Sequence, residues 1–170
     1  MGKNIEEMYF DDEETGIDRK TSHPNFVAAF NDNFYYDCTD EEAPFGNDNG
    51  ADTLYELEDY YRNENYDEKI SLFPNRIVMD IWDLNYVNYD SFDRKVIHEL
   101  LNKDNHSLFA TDQVTVAVAL GQIKITGEID PELKIMALNA VKRQKIVADI
   151  LDFGVSKTYD KIEEDLKKFK

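Results

Sequence analysis

Three histidines, one cysteine and a run of carboxylates and amides are the residues of this chain with chemistry to offer. His98 and His106 stand eight residues apart, and with Asp112 they supply the ligand types of a divalent-metal or acid–base site. His98 precedes Glu99 but has no second histidine four residues on, so the two-histidine zinc helix is incomplete. Asp104 and Asn105 separate the pair, which reads as surface histidine near a helix end, and no metal or cofactor is expected. The run Asn47-Asp48-Asn49-Gly50-Ala51-Asp52 invites calcium. With Gly50 at the sixth position of an EF-hand loop, the first ligand position falls on Phe45, which cannot coordinate. The run is therefore expected to be a turn in which Asp48 or Asp52 caps a following helix. Cys38 lies among Asp37, Thr39 and Asp40, where neighbouring anions disfavour a thiolate nucleophile. No G-x-S-x-G, C-x-x-C or phosphate-cradling glycine loop occurs, and paired carboxylates are too common here to signal glycoside chemistry. These patterns speak against an enzyme more than for one.

Charge and tyrosine carry more information. The protein has 170 residues and a net charge of −17. Residues 1–68 hold twenty Asp/Glu against four Lys/Arg, a balance of −16, whereas residues 131–170 are close to +2. Nine of the ten tyrosines precede residue 90, several beside carboxylates as in Leu57-Glu58-Asp59-Tyr60-Tyr61-Arg62. Tyrosine gives large contact area with a polar tip and is enriched where proteins meet. Surrounding acids steer a basic partner and repel nucleic acid and anionic membranes. The expected site is a partner-binding surface of Tyr35, Tyr36, Asp37, Asp40, Glu41, Glu42, Glu56, Glu58, Asp59 and Tyr60. It would occupy the basic face of a toxin, a nuclease or another nucleic-acid-binding protein, as an inhibitor, immunity protein or phage anti-defence factor. The opposing expectation is a helical household protein whose tyrosines fill a core and whose acids give solubility.

The elements that must position these residues are mostly helical. Hydrophobic residues are 42% of the chain and aromatics 12%, enough for a packed core. Residues 1–42 form an irregular acidic arm with room for a short hairpin, since Phe26–Phe30 suits a strand or a helical turn. Residues 43–170 form a compact, mainly α domain, for a total of five to six helices. Leu54, Leu57 and Tyr61 recur at helical spacing over 51–66. Pro74 opens a second helix with Ile77, Ile81 and Leu84 on one face, and Val78 and Trp82 adjacent. Ser91 is expected to cap a third, with Phe92, Val96, Ile97 and Leu100 inward, and Thr111 a fourth, the buried VTVAVALGQIKI. Asp130-Pro131 starts a fifth that stops near Gly154, and Ser156 caps the last. A lone cysteine fits a reducing cytoplasm. MGKNIEEMYF lacks the apolar stretch of a signal peptide, and Glu6 stands where a myristoylation motif wants Ser or Thr.

Two segments carry a family resemblance. Ala43-Pro44-Phe45-Gly46-Asn47-Asp48-Asn49-Gly50-Ala51-Asp52-Thr53-Leu54 resembles the opening of a family of small uncharacterised bacterial proteins, roughly Gly-x-Phe-x-Asn-Asp-x-x-x-Asp before a helix. Ala117, Ala119, Leu120, Gly121 and Gln122, then Pro131, Glu132, Leu133, Lys134 and Ala137, echo its later helix and Pro-Glu-x-Lys-x-x-Ala segment. The resemblance spans about residues 43–147, implies a largely helical fold and transfers no catalytic residue. The family begins with Trp-Gly, whereas here about forty acid-rich residues precede the motif.

Overall fold

The computed structural model describes residues 4–63, 69–88, 92–154 and 156–170. Its α-helices are α1 (Pro24–Ala29), α2 (Asp48–Arg62), α3 (Phe73–Arg76), α4 (Arg94–Thr126), α5 (Pro131–Ile150) and α6 (Lys157–Lys168). Among the described residues there is no strand, and a single bridge joins Asp12 to Gly16. The mainly helical expectation holds. The segment considered for a hairpin is instead α1 followed by a single 3-10 turn, Asn33–Tyr36.

The second half of α4 is the centre of the molecule. Val114 and Ala117 to Leu120 are fully buried, because α2, α3, α5 and α1 pack around this one helix. A stretch apolar on every side can exist in water only as such an axle. Gly121 lets α2 approach: a Cβ there would lie 2.6 Å from a Leu57 methyl.

The expected break at Thr111 is absent. α4 runs on from Arg94 to Thr126, and its kink lies at Asp104, whose backbone is non-helical. Asp104 restarts the helix by accepting from the Ser107 amide at 3.2 Å and the Ser107 hydroxyl at 2.6 Å. Thr111 is fully buried, about two turns beyond Asp104. Asp93, not Ser91, caps the first half by accepting from the Lys95 amide; Ser91 lies outside the described residues. For α2 the cap is Asn47, whose side chain accepts from Gly50 N at 2.6 Å; Asp48 and Asp52, the expected caps, are inside the helix. Asp130 and Ser156 cap α5 and α6 as expected, and Pro131 and Pro74 take first-turn positions. After α3 the chain widens into a π turn, Ile77–Ile81, which breaks the expected stripe and leaves Ile81 exposed. α5 ends four residues before Gly154, with Asp152 in the left-handed region at φ 57°.

The N-terminal segment from residue 4 is irregular in backbone but packed. Phe26, Phe30 and Tyr35 are fully buried in the same core as α4. Tyr9 N and His23 N donate to the Ile125 and Lys124 carbonyls at the end of α4. The ammonium of Lys124, itself wholly buried, reaches Asp11 at 2.7 Å. A lysine at that depth requires a counter-charge, and the acidic segment supplies it.

Candidate functional site

The sequence-predicted surface divides in four. Tyr35, Glu58 and Tyr60 belong to the interior, so they cannot be presented to a partner. Tyr35 donates to Asp165 at 2.8 Å, and burial with that carboxylate pushes its phenol far above the ordinary range. Tyr60 packs on Tyr61 and Phe73. Glu58 accepts from the Asp11 amide at 2.7 Å; burial raises its pKa against the opposing pull of that hydrogen bond. Tyr36 is half-buried, with its hydroxyl on the Phe30 carbonyl and Arg19 over its ring. Glu56 and Asp59 lie on the outer side of α2. The remaining four, Asp37, Asp40, Glu41 and Glu42, form one loop. Hydrogen bonds from the Thr39 hydroxyl and amide lower the pKa of Asp37, and Asp40 accepts from the Glu42 amide.

That loop is one lip of a cleft of about 750 Å³. The cleft runs between residues 38–49, the middle of α4 (Phe109, Gln113), the later turns of α5 (Gln144, Val147, Ala148) and the start of α6 (Ser156, Tyr159). Exposed Glu41, Glu42 and Asp48 edge it, and none of the three forms an ion pair with a described residue. Glu42 accepts from the Ser156 hydroxyl at 3.3 Å, which ties the loop to the α6 cap. A narrower inner pocket opens from the same cleft toward Asp112, Val116, Val141 and Ile162.

The floor is a buried polar cluster that the sequence reading missed. Asp112 is wholly buried on α4 and Arg143 is 1% exposed on α5. The guanidinium grips the carboxylate with Nε at 3.0 Å and Nη2 at 2.7 Å, and also donates to the Val87 and Asn88 carbonyls. Gln144 completes the cluster by donating Nε2 to Asp112 at 2.6 Å. One ion pair therefore fastens α4, α5 and the extended segment before residue 89. Tyr159 overhangs the inner pocket; burial, helped by the Glu42, Asp112 and Asp40 carboxylates, pushes its phenol up to about 12, so it stays protonated. The register held the signal for the ion pair. Ala140, Gln144 and Val147 share an inward stripe with Arg143 at its edge, as Leu108, Asp112 and Thr115 do on α4.

The metal cluster weighed from the sequence, His98, His106 and Asp112, does not assemble. Asp112 sits in the Arg143 fork, while His98 and His106 are exposed. Among the described residues no group of three or more His, Cys, Asp or Glu side chains could hold a metal ion. His98 is spent locally, with Nδ1 near Asn102 at 3.3 Å. His23 has a structural role: its Nδ1 accepts from the Asn25 amide to cap α1.

Fold and cleft together define a mainly α-helical domain with an acid-edged cleft over a buried ion pair, and among the described residues no helix is long and apolar enough to cross a membrane. The chain is similar to a protein of Escherichia coli (strain K12) called uncharacterized protein YfeS, with 42% identity over 150 residues, or 88% of this chain. It spans 61% of that relative's length. No family model and no solved structure matches the chain.

Proposed function

We propose that this protein is an acidic, non-enzymatic binding module of the cytoplasm that covers a basic surface of a partner protein, in the manner of an inhibitor or immunity factor. The observation that carries the reading is the cleft. Its edge gathers Glu41, Glu42 and Asp48 without internal counter-ions among the described residues, and Asp37 and Asp40 stand in the same loop. Exposed carboxylates that serve no internal ion pair keep their full field for an incoming cation. The segment resembling the family opening supports the reading, because Pro44, Gly46, Asn47, Asp48 and Asn49 build the wall of the cleft and its inner pocket. The site is smaller than the sequence suggested and rests on the loop rather than on the tyrosines.

A second reading has its own support. Glu13 and Glu14 are exposed and lie outside the cleft, as acids that only confer solubility would. Fluorescence anisotropy with a labelled oligolysine peptide, titrated with salt, separates the two. The binding reading expects saturable association that weakens steeply as ionic strength rises. Association indifferent to salt, or none at low salt, favours solubility alone.

A further inference from the structure

The wide cleft is chemically two-sided. Its lip at residues 38–49 carries Glu41, Glu42 and Asp48, and among the described residues no Lys, Arg or His lines it. The other side is apolar, with Phe109 on α4, Val147 and Ala148 on α5, and Phe153 in the turn after α5. Phe153 is 74% exposed, more than any other large hydrophobic side chain among the described residues. The backbone fixes its place. Its amide donates to the Ala148 carbonyl at 2.9 Å, and its neighbours Asp152, at φ 57°, and Gly154, at φ 81°, are both left-handed. Such residues close a helix and turn the chain away from it. At the base of the cleft, Gln144 is 4% exposed and donates Nε2 to Asp112. The carboxylate fixes which end of the amide faces it, since only the NH2 end can donate. The carbonyl Oε1 accepts no hydrogen bond from a described residue. Every sealed side-chain N or O atom among the described residues has a partner, so this oxygen opens onto the cavities that Gln144 lines. The inner one has about 20 Å³, room for one water; only the cleft beyond it admits anything larger.

Carboxylates without cations on one side, an exposed aromatic ring on the other and an open acceptor at the base suit a ligand that is cationic and apolar at once and rich in N–H donors. We propose that the cleft takes an amphipathic basic segment of the partner protein, its cationic side chains toward Glu41, Glu42 and Asp48 and one aromatic or aliphatic side chain against Phe153 and Phe109. The cleft volume of about 750 Å³ falls within the roughly 300–1,000 Å³ of ligand-binding clefts, enough for such a side chain and the chain that flanks it. Charge complementarity selects the occupant, because nucleic acid and anionic membranes are repelled by the same carboxylates. A purely basic segment leaves Phe153 uncovered, whereas an amphipathic one buries it. The inference rests on the proposed function and deepens it by adding an apolar anchor to the charged edge. The acids then speed encounter, and the anchor slows release.

The test titrates the whole chain with three labelled peptides, read by fluorescence anisotropy: acetyl-Lys-Lys-Trp-Lys-Lys-amide, the same peptide with Gly in place of Trp, and acetyl-Glu-Glu-Trp-Glu-Glu-amide. The two basic peptides carry equal charge, so the difference between them isolates the apolar contact. The Trp peptide is expected to bind about tenfold tighter than the Gly peptide, and the acidic peptide not at all. Phe153→Ser alters an exposed side chain, so it is expected to keep the melting temperature and the affinity for the Gly peptide while erasing most of the advantage of Trp. Salt-sensitive binding in which the Gly peptide equals the Trp peptide overturns the amphipathic assignment and leaves the acidic-edge reading intact. A Trp advantage that survives Phe153→Ser does the same. Acidic peptide bound as tightly as the basic Trp peptide shows apolar adhesion alone and also overturns the assignment. Absence of binding by both basic peptides overturns the assignment and the proposed function together.

Discussion

Arg143→Met is the perturbation that the structure prices most firmly. The guanidinium is 1% exposed and Asp112 wholly buried, so the variant leaves a carboxylate in the interior without its guanidinium partner. Breaking a buried pair from one side costs about 3–5 kcal/mol. The Val87 and Asn88 carbonyls lose their donors as well. Each such bond is worth about 0.5–1.5 kcal/mol, and the lower value applies because Val87 is half-buried and Asn88 exposed. The sum is about 4–6 kcal/mol against a whole-domain stability on the order of 5–15 kcal/mol. At roughly 2–4 °C per kcal/mol for a domain of this size, the melting temperature should fall by roughly 10–20 °C. Urea denaturation followed by far-UV circular dichroism measures the free-energy loss, and a thermal melt the shift in melting temperature. Asp112→Leu combined with Arg143→Met should recover most of the loss, because an apolar pair can replace a buried ion pair at little cost. A single variant less than about 1 kcal/mol below the parent, or a double variant no better than the single one, would refute this account of the floor.

Three further changes probe the frame around it. Gly127→Ala should lower stability by about 2–4 kcal/mol in urea melts: φ is +78°, and a Cβ would lie 2.4 Å from the His23 ring, which must swing out of its cap on α1. Lys124→Met should cost about 3 kcal/mol and speed tryptic cleavage at Arg19 and Lys20, because Asp11 loses its buried cation and the N-terminal segment its anchor. Glu58 has a folded pKa raised mainly by burial, so the folded state holds that proton more tightly than the unfolded one. Its contribution is then fully favourable below the ordinary carboxylate range and declines as pH rises through the folded value. Glu58→Gln should accordingly raise the melting temperature at pH 7, with the gain shrinking toward pH 4.

Legibility from sequence followed how local each signal was. Asp130-Pro131 and Ser156 state their helix starts within three residues, and the structure uses both. The VTVAVALGQIKI run announced a buried helix through composition alone. Its true start was hidden because Asp104 restarts α4 without ending it, and a Thr at 111 resembles a cap only when its burial is unknown. The acidic N-terminal segment read as an arm because its counter-charge, Lys124, lies over a hundred residues away. Tyrosine beside carboxylate fits an interface and a core equally. Tyr35 and Tyr60 are core because tertiary neighbours enclose them, which no local pattern encodes. The outward placing of the charged loop at 37–42 was legible because exposure of carboxylates is their default. The small pocket behind it was not, since Gln144 and Tyr159 come to line it together only through the packing of α5 and α6.

The central claim is that position, and not total charge, makes the protein a binder. Two triple variants of equal net charge decide it: Glu41→Gln/Glu42→Gln/Asp48→Asn at the cleft edge, and Glu6→Gln/Glu13→Gln/Glu14→Gln outside it. Oligolysine affinity is measured for both and for the parent at one low ionic strength. The account predicts at least about a tenfold loss for the cleft-edge variant and little change for the other, as screening alone treats distant surface charges alike. Equal losses in the two variants would contradict it.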